Sequence, residues 1–205
     1  MKNRPIEQLT LDIPNPYPEQ TAALERFIAR ACAFTGHRPQ KLPWGYDETD
    51  PGCAALKETL AAQVEALVGE GYTDFLSGMA LGVDTWGAQT VLKLRAANPA
   101  LKLHCILPCA SQSAKWTEEA QALYRAVLEQ ADSVVYVSRK WTKNCSLERD
   151  SFLVSYASQV LAVYNGEKRG GTAATVRYAR KFGRALIIID PATREITREE
   201  AAVNT

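Results

Sequence analysis

Short, almost purely apolar runs alternate with amphipathic stretches along the middle of this chain, and that alternation constrains the fold more than any other feature. The runs lie at 32–35, 73–76, 101–107, 133–137, 160–164 and 185–189. Runs this short and this apolar suit strands covered on both faces; a sheet with one wet face would alternate apolar and polar residues. Between them, 54–68, 83–97, 116–130, 147–157 and 172–182 carry helical patterns, as in Leu56, Leu60, Val64 and Leu67. Gly71 and Gly183 fall just past helix ends, where a C-terminal cap belongs. Six strands separated by five helices predict an α/β fold, a doubly wound, mostly parallel sheet flanked by helices on both faces.

The flanks read differently. Residues 1–30 form an N-terminal extension, in which Pro14, Pro16 and Pro18 hold 12–18 extended and 19–31 predict a short helix with Leu24, Phe27 and Ile28 on one face. Residues 31–191 make the domain. Residues 192–205 are a polar C-terminal tail, an edge element or frayed.

In a doubly wound sheet, ligands bind beyond the carboxyl ends of the strands. The segments leaving the strands are the unusual ones here, while the returns from helix to strand are short and plain. The second strand runs into Ser77-Gly78-Met79-Ala80-Leu81-Gly82-Val83-Asp84. Glycines at a strand-to-helix handover let the main chain approach an anion at a helix N-terminus. The stretch is neither a dinucleotide fingerprint nor a Walker loop. The first strand gives Thr35-Gly36-His37-Arg38-Pro39, and the fifth gives Arg169-Gly170-Gly171-Thr172, with Thr172 as the expected N-cap. On one sheet edge these segments predict a nucleotide or anion site. Arg38 is either a phosphate contact or a structural arginine bonding loop carbonyls; His37 is either an acid–base group or a brace for the turn. Trp44, Tyr46, Trp116 and Trp141 are candidates to stack on a base, or packing residues. Asp84 is a candidate for ribose hydroxyls or a helix-dipole residue, and Gln112 a candidate polar contact or a cap.

Charge and cysteine content exclude some classes. Lysine and arginine number 24 against 23 acidic residues, a net charge of +1, which argues against a general nucleic-acid coat. No apolar run reaches the roughly 20 residues of a membrane span, and the N-terminus lacks an apolar signal core, so no membrane association and a cytoplasmic location are expected. The five cysteines include no Cys-x-x-Cys and read as reduced thiols. Cys109 follows a strand end with no histidine placed to activate it. His104, Cys105 and Cys109 lie in or beside a buried strand whose neighbouring side chains diverge, so no metal site is expected.

Cys32-Ala33-Phe34-Thr35-Gly36-His37-Arg38-Pro39, Leu42-Pro43-Trp44-Gly45-Tyr46-Asp47, Gly78-Met79-Ala80-Leu81-Gly82-Val83-Asp84-Thr85-Trp86 and Gly170-Gly171-Thr172, in colinear order over about 31–191, resemble the YpsA-like family of the bacterial SLOG (Smf/DprA–LOG) superfamily. The resemblance implies a Rossmann-like fold and a pocket for a nucleotide-derived ligand such as ADP-ribose, NAD or a nucleoside phosphate, with no required cofactor. It implies a sensor or regulatory role linked to bacterial cell division or stress signalling. The site it implies comprises Thr35, Gly36, His37, Arg38, Trp44, Ser77, Gly78, Met79, Ala80, Gly82, Asp84, Gln112, Gly170, Gly171 and Thr172.

Two alternatives follow from the same superfamily. LOG-type members are phosphoribohydrolases whose motif Pro-Gly-Gly-x-Gly-Thr-x-x-Glu ends on a catalytic glutamate; Thr175 stands there in this chain, so an N-glycosidic hydrolase would need Asp84, His37 or Glu167 instead. DprA-like members bind single-stranded DNA through a Ser-Gly-x-Ala-x-Gly-x-Asp stretch that Ser77 to Asp84 fits, although the near-neutral charge speaks against that partner. A homodimer or a regulatory protein partner is left open.

Overall fold

The computed structural model describes residues 18–201. Helix α1, Pro18–Ala29, leads into β1, Ala31–Gly36, then α2, Pro51–Gly69, and β2, Asp74–Ser77. Next come α3, Val83–Arg95, β3, Lys102–Leu107, α4, Glu118–Gln130, and β4, Ser133–Tyr136. The chain continues through α5, Cys145–Ser155, β5, Gln159–Val163, α6, Gly171–Lys181, β6, Ala185–Ile189, and β7, Ile196–Glu199. The expected extended segment at 12–18 lies, apart from Pro18, outside the described residues.

The seven strands form one sheet in the order β4-β3-β2-β1-β5-β6-β7. All neighbours pair in parallel except β6 and β7. The doubly wound expectation therefore holds, with one addition. Ile196-Thr197-Arg198-Glu199, inside the segment read as a tail, adds an antiparallel edge strand that has no apolar run to announce it. Strand order reverses between β1 and β5, so the topological switch point lies there.

Strand residues alternate between two cores. Cys32, Phe34, Phe75, Leu103, Leu107, Leu161 and Ile187 face one, shared with Leu56 and Leu60 of α2, Val91 of α3 and Val127 of α4. Ala33, Leu76, Ile106, Val160 and Leu186 face the other, shared with Leu153 and Val154 of α5 and Val176 of α6. Burial on both faces is what the near-continuous apolar runs require. On the second face α1 sets Phe27 edge-on against His104, 5.4 Å between ring centres.

Helix α3 lies very close to β1. A Cβ on Gly36 would stand 2.5 Å from the Cβ of Val83, and one on Gly87 would stand 2.9 Å from the Phe34 ring. The missing side chains let the helix settle on the strand. Gly36→Ala should therefore cost about 1–3 kcal/mol through overpacking. In a Val83→Gly background, which removes the Cβ as well as both methyl groups, the same change should cost much less. Urea unfolding of the four proteins in that cycle measures the coupling, and an equal cost in both backgrounds would contradict the contact.

Candidate functional site

A cavity of about 310 Å³ opens at the carboxyl edge of the sheet, where β1 and β5 lie side by side. Thr35, Gly36, His37, Arg38 and Lys41, leaving β1, form one wall. Ala80 and Asp84 contribute from the β2–α3 connection, and Ser146, Leu147, Arg149 and Asp150 from the first turns of α5. Arg169-Gly170-Gly171-Thr172, leading into α6, closes the ring.

The floor is a buried charged cluster. Arg149 Nε donates to Asp150 Oδ1 at 2.8 Å, and its Nη1 lies 3.5 Å from Asp84 Oδ2. The three residues are only 6–7% exposed. Arg149 lies flat on the main chain of Gly78: a Cβ there would be 1.5 Å from Nη1. Asp84 also accepts from the Ala80 N–H at 3.3 Å. Burial pushes the Asp84 carboxyl up to about 6 against the pull of Arg149. Asp150 is raised by the same cause. The Thr175 hydroxyl donates to Gly171 O at 3.0 Å, and its proximity partly offsets the upward push on Asp150.

The rim is cationic. Four basic side chains, Arg38, Lys41, Arg149 and Arg169, line the cavity against two carboxylates, Asp84 and Asp150. Arg38 and Arg169 are exposed, and neither guanidinium makes a hydrogen bond or close ion pair among the described residues, although the charge of Arg38 is felt by Asp84 and Asp150. Lys41 is bridged to Glu167 at the mouth. Helix α6 starts from Gly170, which sits at φ 108° and offers no side-chain cap to its first N–H groups, and Gly170, Gly171 and Thr172 all line the cavity. Space stays open there: a Cβ on Gly171 would meet only Asp150 Oδ2, at 3.7 Å. His37 is braced instead. Its Nε2 lies 2.8 Å from Asn165 Oδ1 and 3.3 Å from the Asn165 main-chain nitrogen, so both contacts hold the ring to that residue.

The structure brings together Thr35, Gly36, His37, Arg38, Ala80, Asp84, Gly170, Gly171 and Thr172. It does not bring Ser77, Gly78, Met79, Gly82, Trp44 or Gln112 to the cavity wall. Ser77 is buried, accepting from the Met79 N–H and donating to Asp84 O. Met79 is buried in the core. Gly82, at φ 91°, has Pro39 and the His37 carbonyl beside it. Gln112 braces the same loop by donating to Gly78 O and Met79 O. The glycines of the 77–84 stretch thus pack against protein, and of the expected glycine contacts it is Gly36, Gly170 and Gly171 that line the cavity. Thr172 is inside α6 and Gly170 is its N-cap. None of the four candidate aromatics lines the cavity: Trp44 packs on the core, Trp116 stands edge-on to Tyr124, and Tyr46 and Trp141 are exposed elsewhere.

Arg149 and Asp150 escaped the reading of the sequence, since charged residues in a helical pattern usually mark its wet face. A signal was there. The buried stripe of α5 is Cys145, Arg149, Asp150, Leu153 and Val154, so the two charges occupy core positions at helical spacing. Lys41 and Arg169 were single loop cations without a pattern. His104, between Ser133 Oγ at 2.8 Å and Asp74 Oδ1 at 3.1 Å, is engaged on the opposite side of the sheet.

A family model described as the YspA SLOG family matches residues 32–188. The UPF0398 protein of Brevibacillus brevis is 33% identical over 141 residues, covering 66% of this chain and 73% of that relative. A UPF0398 protein of Bacillus thuringiensis is 31% identical over 157 residues, covering 75% and 84%. Among solved structures, DNA processing protein A from Streptococcus pneumoniae superposes with a TM-score of 0.52 at 15% identity. That match covers 82% of this chain and 52% of the pneumococcal one, so this chain spans about half its length. DNA processing protein A from Helicobacter pylori, solved to explain its single-stranded DNA binding mode, gives 0.54 at 17% identity, covering 85% and 71%. At these identities the likeness shows the fold. Among the described residues no helix is long and apolar enough to cross a membrane.

The raised Asp84 makes stability pH-dependent. The folded chain keeps a proton that the unfolded chain releases between 3.8 and about 6, so Asp84's contribution is full below about pH 4 and is lost as pH rises through about 6. Asp84→Asn removes this titration. From about pH 4 to about pH 7, wild type should lose on the order of 2 kcal/mol relative to the variant. Parallel urea series would read the difference, and profiles that run parallel would place Asp84 in the ordinary carboxylate range.

Proposed function

The chain belongs to the YspA SLOG family, and from that premise and the cavity at the β1/β5 switch point we propose that it binds a phosphorylated, nucleotide-derived ligand in a sensor or regulatory role. The observation that carries the reading is the pairing of two unpartnered guanidiniums, Arg38 and Arg169, with the uncapped, glycine-opened N-terminus of α6. Guanidinium forks and free helix N–H groups both favour phosphate oxygens. The cavity is at the small end of the roughly 300–1,000 Å³ range of small-molecule sites. That suits one nucleoside-phosphate unit, and the far half of ADP-ribose or NAD would extend past the Lys41–Glu167 bridge. In this reading Asp84 and Asp150, which line the cavity, would accept from ribose hydroxyls. No cysteine lines the cavity and His37 is tied to Asn165, which supports binding without covalent chemistry.

Asp150 favours a second reading. It puts a carboxylate beside Thr175, where hydrolysis of an N-glycosidic bond would want one, so that water adds to C1′ and the base leaves with a proton. Chromatography after incubation with nucleoside monophosphates tests it. Free base lost in Asp150→Asn would support this reading, and an absence of free base with wild type would end it.

Calorimetry against nucleoside phosphates, ADP-ribose, NAD and cyclic dinucleotides tests the leading reading. At least one should bind. Arg38→Ala and Arg169→Ala should each weaken it about tenfold or more. Glu167→Gln, which frees Lys41, should tighten it, and Gly171→Glu should abolish it. Silence across the panel, or unchanged binding by Gly171→Glu, would remove the proposal. A single-stranded oligonucleotide belongs in the same panel; strongly salt-dependent binding to it alone would point to a DNA-binding role instead.

A further inference from the structure

The two edges of the sheet are built differently. At the β7 edge, Glu199 pairs with Arg180 at 2.7 Å, and Arg198 reaches Glu70 at 3.4 Å and Gln63 at 3.1 Å. Charged side chains are a common means of keeping an edge strand from pairing with another chain. The β4 edge has no such protection. Its residues are Ser133, Val134, Val135 and Tyr136, with no charge and no proline.

Register shows what β4 leaves open. Val134 and Tyr136 pair with Cys105 and Leu107, on the face covered by α2, α3 and α4. Val135 pairs with Ile106, on the face covered by α5 and α6. Yet Val134, Val135 and Tyr136 are 37%, 39% and 48% exposed. Both faces of the strand are therefore open at once. Trp141, just beyond β4, is 69% exposed.

An occupant has to meet the main-chain edge and cover both faces. A lone helix covers one face. An extended peptide meets the edge and leaves the faces wet. Another sheet edge with helices on both sides does all three, and this chain supplies one. Charge decides the direction. Glu129 precedes β4, as does Asp132, which Arg95 and Lys102 already pair, while Arg139, Lys140 and Lys143 follow it. Glu129 and the three cations have no ion pair among the described residues. In an antiparallel pair about a two-fold axis, Glu129 of one copy lies at the end of the strand beside the basic exit of the other. A parallel pair would set like charges together.

We propose that the chain forms a two-fold dimer through antiparallel pairing of β4 with β4 of a second copy, joining the two sheets into one. The contact is isologous, the commonest symmetry for homo-oligomers. Sedimentation velocity over a concentration series tests it. Wild type should approach twice the chain mass, and Val135→Lys should sediment as a single chain while keeping the wild-type circular dichroism spectrum. Lys140→Glu should weaken association about tenfold, and adding Glu129→Lys in the same chain should restore it. A wild type that stays a single chain at every concentration would overturn the proposal. So would a folded Val135→Lys that still dimerises, or a charge swap that restores nothing.

Discussion

The buried contact of Arg149 with Asp84, Asp150 and the bare main chain of Gly78 holds the functional edge of this protein together. Arg149 and Asp150 come from α5, on one face of the sheet; Asp84 comes from α3, on the other. The guanidinium passes beyond the strand ends and joins the two layers where no strand lies between them. A charge cluster this deep is costly unless each member is compensated. Its geometry accordingly leaves little freedom. The surrounding loop is held by Ser77, Thr85 and Gln112, each with hydrogen bonds to that loop's backbone. The cavity floor is thus rigid and carries both signs of charge, whereas the rim carries unpaired positive charge.

Topology decides where that cavity can be. Strands β2, β3 and β4 grow outward on one side of β1, and β5, β6 and β7 on the other. The loops after β1 and β5 therefore diverge toward opposite faces and leave a crevice between them. The loop after β2, one strand away, forms the back of that crevice. This explains why the richest motif in the sequence supports the site, with only Ala80 and Asp84 reaching its surface.

Much of the fold was legible because it rests on burial. Strands wetted on neither face must be apolar throughout, and five of the six visible runs are such strands; the sixth, β4, is apolar yet exposed on both faces. Strand β7 was hidden, because an edge strand pairing through Arg198 and Glu199 needs no apolar run. The cavity wall was legible in the sequence where backbone chemistry marks it, at Gly170-Gly171 and at Arg38. It was misread at Gly78 and Gly82, where glycine answers to a neighbouring side chain. It was missed at Arg149 and Asp150, since their role depends on a contact 65 residues away in sequence, between Arg149 and Asp84. Spacing within one helix holds only half of that information.

The guanidinium resting on Gly78 has a consequence for reading related chains. Only a hydrogen atom fits between the backbone of residue 78 and the plane of Arg149. The two positions therefore form a lock that must be kept or given up together. A relative with a side chain at the position of Gly78 cannot seat an arginine as this chain does. Without that cation, two buried carboxylates would repel each other and any anionic guest. One pair of letters, far apart in a sequence, would thus sort relatives that share this cavity floor from those that have rebuilt it for another guest.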